Sequence, residues 1–458
     1  MAKTALHRPS GLGPAPLLTS LAEMLRAWLP RQRWFAGKGR PVTDLTLVSS
    51  TELYPGCLHL LVRTEHLGPP AHSGAGTPPA EDCYQLLLGV REVLPPHLAH
   101  AFIGRASTGP LAELTVYDAF HDPKAAGLLL ERLRVAGSAG PLCFERDPRV
   151  TVPGGLAPRL LDAEQSNSSL VYGDAFILKV FRRVQPGINP DLEVPRALAR
   201  QGCTRVPPPA AWFRTSEPQD ATLGVLQPYL RDAADGWTLA LAALGSENDF
   251  TEEAYELGRA TAEVHLALAT AFPLDPPSPG GNKRLADAMH ERLDAAVRSV
   301  SELQPHAEGL RSAFDALAGL DSAVRPAQRI HGDLHLGQVL RAGQRWSVID
   351  FEGEPARPIS ERRRVQSPVR DVAGMLRSFD YAARSRQPWR PAWADRCRDA
   401  FCAGYAVAAA WDPREEPELL RAYETDRAVY EVLYEARHRP DWLAVPMAAV
   451  GRLATTRS

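Results

Sequence analysis

The sequence predicts an α+β fold of two lobes, a β-rich N-terminal half and a mostly helical C-terminal half. Three observations predict it. Strand-like apolar runs mark the first half of the 458 residues, at 44–53, 57–64, 83–91, 176–181 and 223–229. From about residue 230 apolar residues recur at helix spacing instead, over 254–268, 283–303, 366–384, 394–411 and 416–437. Within the helical half, residues 331–354 break the pattern with a polar loop and one short apolar strand.

Taken in order, residues 1–18 are rich in Pro, Gly and small side chains and predict a loose tail. Residues 19–30 read as a short amphipathic helix, capped by Thr19 or Ser20 and stopped by Pro30. The next three runs predict a small sheet whose last two strands are joined by the Gly/Pro-rich loop 68–79. Residues 95–160 mix short helices and strands. A hydroxyl-rich stretch, Gln165, Ser166, Asn167, Ser168 and Ser169, leads through a Gly173-Asp174 hairpin turn into the strand 176–181. A Pro-rich passage then leads to the strand 223–229, which carries Gln227 and fits an interlobe hinge that borders a nucleotide.

Composition narrows the function. The formal net charge is −2, so no basic surplus attracts a phosphate backbone and nucleic-acid binding is disfavoured. Hydrophobic residues make up 45% and charged residues 23%, as in globular soluble proteins. Cysteines 57, 83, 143, 203, 397 and 402 form no CxxC pair, which predicts reduced thiols and a cytoplasmic location. No apolar run reaches the ~20 residues of a membrane span.

The chemistry is concentrated at 331–354. His331-Gly332-Asp333 opens a loop, Gln338 follows Asp333 at five positions, and Asp350-Phe351-Glu352 ends the strand 346–349. Phosphoryl transfer from ATP needs a carboxylate to take the acceptor hydroxyl's proton, and an amide and a second carboxylate to hold Mg²⁺. Protein kinases place these groups as His-Arg-Asp, an Asn five residues on, and Asp-Phe-Gly. Asp333 is therefore the candidate base, and Gln338 and Asp350 the candidate metal ligands. A zinc site from His331 and His335 is disfavoured by Gly332 between them and by the lack of a Cys or Glu partner in register. Lys179, mid-strand between apolar neighbours, is the candidate phosphate cation, with Glu193 in the next helix to orient it. Neither a G-x-G-x-x-G nor a Walker loop precedes it, so residues 165–169 are left to cover the phosphates.

The helix 423–437 sets Tyr423, Arg427, Tyr430, Tyr434 and Arg437 along one stripe, with Glu424, Glu431 and Glu435 beside it. Aromatic faces and carboxylates together suit a sugar, and Trp442 adds another flat surface. Inward packing of the tyrosines with Glu–Arg pairs on the surface is the structural alternative. His331 and Glu352 are counted with the acceptor residues.

Gln32-Arg33-Trp34, residues 165–183, 331–380 and 423–442 resemble the actinobacterial maltokinase family, with its aminoglycoside-phosphotransferase-like, protein-kinase-like fold. The resemblance implies a tail (1–18), an N-terminal cap subdomain (19–92), an intermediate subdomain with the ATP-binding sheet (93–228) and a helical C-lobe (229–458). It implies transfer of the γ-phosphoryl of MgATP to the anomeric hydroxyl of maltose, giving α-maltose 1-phosphate for glycogen-type α-glucan synthesis. Trehalose synthase is the implied partner, and a monomer or weak homodimer the implied state. Family members commonly carry Lys and Asn where this chain has Arg427 and His438. A glucosamine kinase, another aminosugar or aminoglycoside kinase, and a non-catalytic binding module are the alternatives.

Overall fold

In the computed structural model, which describes residues 14–37, 40–66, 82–161, 166–246, 248–321, 325–353 and 358–455, strands prevail up to residue 228 and helices thereafter. The chain divides into two units: Met1–Leu192 with Pro209–Arg231, and Glu193–Pro208 with Asp232–Ser458.

The first unit holds two antiparallel sheets. One orders Val42–Tyr54, Cys57–His66, Asp82–Arg91, Thr115–Asp118 and Phe102–Arg105, with Arg183–Val184 also paired to Asp82–Arg91. It runs past the expected boundary at 92 because Thr115–Asp118 pairs back onto Asp82–Arg91. Leu58, Leu60, Val62, Leu86 and Leu88 pack with Leu17, Leu21 and Leu25 of the helix Pro14–Trp28. Leu61 and Leu87 point the other way, into a core shared with Leu129 and Leu133 of the helix Pro123–Val135. Burial on both faces explains why 58–62 is almost continuously apolar.

The first helix begins at Pro14 rather than at 19, since a proline in the first turn forfeits no intrahelical hydrogen bond. Ser20 is not its cap; the Ser20 hydroxyl accepts from the Leu111 amide at 3.1 Å. The predicted loop 68–79 lies outside the described residues.

The second sheet orders Gly137–Ala139, Leu142–Arg146, Ala211–Thr215, Ala221–Pro228, Phe176–Val180, Ser168–Tyr172 and Pro158–Leu161. Gly173 and Asp174 both take positive φ (52° and 51°), the left-handed pair that closes a tight hairpin. Two buried side chains tie the sheets together. Gln85 donates to the carbonyl oxygens of Phe181 (2.7 Å) and Leu223. Arg182, 2% exposed, bonds Asp118 (2.9 Å) and Ser168 (2.7 Å), with Trp34 and Phe120 over its guanidinium at 4.8 and 4.3 Å.

In the second unit helices surround one large apolar core. Thr251–Ala271 and Pro391–Ala409 approach so closely that a Cβ on Gly258 would stand 2.0 Å from the Phe401 carbonyl oxygen, and one on Gly404 1.9 Å from that of Tyr255. A small sheet of Ala234–Asp235, Val339–Ala342 and Arg345–Val348 carries the predicted catalytic segment. Among the described residues, no helix is long and apolar enough to cross a membrane.

Candidate active site

The first unit holds the predicted phosphate cation, Lys179, on a paired strand. Lys179 pairs with Ser169 on one side and Val225 on the other, in the middle of the second sheet. Phe176, Leu178 and Val180 face the core, so Lys179 projects from the opposite face with Ile177. Its Nζ meets Asp191 Oδ2 at 2.9 Å, both side chains being largely buried. Asn189 sets that carboxylate in place: its Oδ1 accepts from the Asp191 amide (2.8 Å) before Pro190 opens the helix Pro190–Arg200. The expected orienting residue, Glu193, instead pairs with Arg329 (3.1 Å) and Arg363 (3.2 Å). Positions 191 and 193 lie on opposite sides of a helix, so only one of them can face the strand.

The hydroxyl-rich stretch is shorter as a loop than expected. The strand begins at Ser168, whose hydroxyl is taken by Arg182, and Ser169 is 1% exposed opposite Lys179. Ser166 and Asn167 remain outside the strand, joined by an Asn167 Nδ2–Ser166 Oγ bond of 3.3 Å. Gln165 lies outside the described residues. Gln227 pairs with Ile177 and so shares the face of Lys179.

The second unit holds the predicted catalytic loop. Asp371, 1% exposed, accepts from the amides of His331 (2.7 Å, Oδ2) and Gly332 (2.9 Å, Oδ1). His265 Nε2 reaches the same Oδ2 at 3.1 Å, and His265 Nδ1 bonds the Tyr405 hydroxyl at 2.8 Å. Burial opposes the charge of Asp371, yet the hydrogen bond and charge from His265, with further help from His331 and Gly332, hold its carboxyl below the usual range. Gly332 turns at φ +87°, where a Cβ would be strained. His331 is 3% exposed: Nδ1 accepts from the Asp333 amide (3.3 Å), so Nε2 carries the proton donated to the Ile349 carbonyl (2.9 Å). His331 is therefore part of the loop's frame and not an acceptor contact. His335 likewise spends Nδ1 on the Gly337 amide (3.0 Å), a local turn bond in place of a metal ligand.

These bonds frame the side chains expected to carry the chemistry. Asp333 Oδ1 meets Arg427 Nη1 at 2.9 Å. Burial works against the charge of Arg427, but Asp333 and Glu431 outweigh it and raise its pKa above the usual guanidinium value. Gln338 Nε2 donates to Asp350 Oδ2 at 3.1 Å. Asp350 adopts φ +64°, a left-handed conformation uncommon outside glycine and tolerated best by Asn and Asp. Carboxylate oxygens of Asp350 and Glu352 lie within 4.8 Å of one another. With the Gln338 amide oxygen they form a set of hard oxygen donors that fits Mg²⁺. Glu352, counted by sequence with the acceptor residues, stands with this set.

Residues 156–423 match the phosphotransferase enzyme family, and residues 28–122 the maltokinase N-terminal cap domain. The chain belongs to the phosphotransferase enzyme family. Among its relatives, this phosphotransferase is 33% identical over 327 residues to a glucosamine kinase of Streptacidiphilus jiangxiensis, covering 64% of this chain and 73% of the relative. It is 30% identical over 318 residues to one of Mycolicibacterium smegmatis, covering 64% and 79%. A solved structure of a glucosamine kinase with glucosamine, ADP and inorganic phosphate superposes with a TM-score of 0.64 at 25% identity, over 94% of this chain and 99% of that one.

The phosphotransferase's last long helix, Pro417–His438, departs from the expected stripe. Tyr423 is buried, and Glu424 is buried against Arg398 at 2.5 and 3.1 Å. Neither faces an acceptor; the stripe turns into the core at its N-terminal end. Tyr430 and Tyr434 are exposed, 41% and 39%, and stack with centroids 6.4 Å apart. Arg437 is exposed in the last turn. Arg427, expected to touch substrate, holds the candidate base instead and lies 5.3 Å over Tyr430.

Sequence reasoning missed Asp191, Asp371 and His265. Asp371 did leave a signal, as a lone carboxylate flanked by Val369, Val372 and Ala373 on an apolar helix face. Asp191 follows Asn189-Pro190, the start signal of its helix.

Proposed function

We propose that the protein transfers the γ-phosphoryl group of MgATP to the anomeric hydroxyl of maltose. The observation that carries the acceptor class is the pairing of acids with arginines. Asp426 is held by Arg292 (2.8 Å), Glu431 by Arg377 (2.6 Å), Glu435 by Arg439 (2.6 Å) and Asp333 by Arg427 (2.9 Å). An ammonium acceptor beside these guanidinium groups meets like charge and competes with an arginine for each carboxylate. A neutral, hydroxyl-rich acceptor needs neither. The exposed Tyr430–Tyr434 pair offers a flat apolar surface of the kind that covers a pyranose face.

In this reading Asp333 takes the proton of the anomeric hydroxyl as its oxygen bonds to the γ-phosphorus. The bond from that phosphorus to the β–γ bridging oxygen breaks, and ADP leaves. Lys179, held by Asp191, binds the phosphates. Gln338, Asp350 and Glu352 would hold a divalent ion, which when bound neutralises triphosphate charge. Asp350→Ala removes the central anionic donor. Activity titrated against Mg²⁺ is expected to remain at least ~100-fold below wild type at every concentration, on the scale of lost charge stabilisation. A variant that matches wild type at high Mg²⁺ contradicts the assignment.

An aminosugar acceptor is the second reading, and the names of the two relatives favour it. Tyr434→Ala tests the tyrosine platform of the first. Losing a stacking face worth ~1 kcal/mol is expected to raise the KM for maltose about fivefold and leave the KM for ATP unchanged. An unchanged KM for maltose removes the tyrosine platform from the reading.

A further inference from the structure

Behind the candidate base four charges alternate in sign. Asp333 Oδ1 meets Arg427 Nη1 at 2.9 Å, Arg427 Nε stands 3.8 Å from Glu431 Oε1, and Glu431 Oε2 meets Arg377 Nη2 at 2.6 Å. Arg377 is 1% exposed, sits on the helix Val369–Ala382, and also binds Asp380. Asp380 is in turn held by Arg384 and by Arg452 (3.1 Å). The middle contact is the loose one: 3.8 Å is ion-pair range but too long for a hydrogen bond.

We infer that Arg377 is a positioning residue for phosphoryl transfer, which neutralises Glu431 so that Arg427 remains with the base. This rests on the reading of Asp333 as the base. Arg427 has two carboxylates to choose between. With Arg377 on its far oxygen, Glu431 offers Arg427 only a partly spent charge, and the short bond goes to Asp333. Without Arg377, Glu431 is a half-buried carboxylate lacking its strongest partner. Closing the 3.8 Å gap then draws Arg427 away from Asp333. The base loses the group that fixes its rotamer, although among the described residues Arg377 itself makes no hydrogen bond or ion pair to Asp333 or Arg427.

The same helix carries Asp371, which anchors the backbone of the catalytic loop. One helix therefore sets both the loop's path, through Asp371, and the charge state around its carboxylate, through Arg377.

The test is a double-mutant cycle on kcat at saturating ATP, with folding checked by thermal melting. Arg377→Met is expected to lower kcat about tenfold or more with the KM for ATP unchanged. Arg377→Met with Glu431→Gln is expected to recover to within about threefold of Glu431→Gln alone, because the carboxylate that competes for Arg427 is gone. Arg377→Lys keeps the charge and should fall between, which provides a reading if the Met variant does not fold. A double variant no more active than Arg377→Met, although folded, overturns the inference. So does Arg377→Lys with no more activity than Arg377→Met. Asp333→Asn, assayed in parallel, is expected to be inactive in every background. If it stays active, the reading of the base fails, whatever the cycle shows.

Discussion

Asp333→Asn is expected to lower kcat on the order of 10²–10⁴-fold, the range for loss of a general base, while nucleotide affinity is retained. The substitution keeps the shape of the side chain and removes its ability to take a proton. The loop itself should not move, since its path is set by the His331 and Gly332 amides on Asp371. The asparagine oxygen can still accept from Arg427, so the variant tests basicity rather than folding. Steady-state turnover and calorimetric titration with ATP check the two halves. Turnover within tenfold of wild type removes Asp333 from the mechanism.

Asp371→Ala is expected to cost both activity and stability. It leaves the His331 and Gly332 amides and the His265 ring without their acceptor. Each such loss costs about 1–3 kcal/mol, so a total of several kcal/mol is expected from urea unfolding. The catalytic loop loses its anchor as well, and kcat should fall even where the variant is fully folded. The effect has a sign in pH. The folded pKa of Asp371 lies below its unfolded value, so its contribution is fully present above the ordinary Asp range near ~3.9 and is lost as pH falls through the folded value. Asp380 acts in the same direction: burial opposes its charge, but Arg377, Arg452 and Arg384 hold it down at about 2. Wild type and Asp371→Ala should therefore converge in stability as pH falls below about 4. A constant difference from pH 7 to pH 3 contradicts this account of the loop.

The elements were legible where burial is simple. The runs at 57–64 and 83–91 and the helices over 254–268 and 394–411 announce themselves by period, because one or two apolar faces dictate their side chains. Asp333, Gln338 and Asp350 stand out as candidates because phosphoryl transfer requires these types at these offsets, and the structure sets Gln338 against Asp350. Partners were not. Lys179 had two acids to choose from, and only the start of the helix at Pro190 decides for Asp191 over Glu193. Glu424 and Glu431 look alike in sequence, yet one is buried on Arg398 and the other stands beside Arg427, the partner of the candidate base. Which arginine reaches which acid depends on helices far apart in sequence, and periodicity carries no such information.

The most direct measurement is a competition between acceptors. The protein is incubated with MgATP and equal concentrations of maltose and glucosamine, and the phosphorylated product is assigned by ³¹P–¹H correlation NMR. The account predicts α-maltose 1-phosphate as the main product, with phosphorus coupled to the anomeric proton. Glucosamine phosphate as the main product would contradict it, and would mean that the acceptor displaces an arginine from Glu431 or its neighbours.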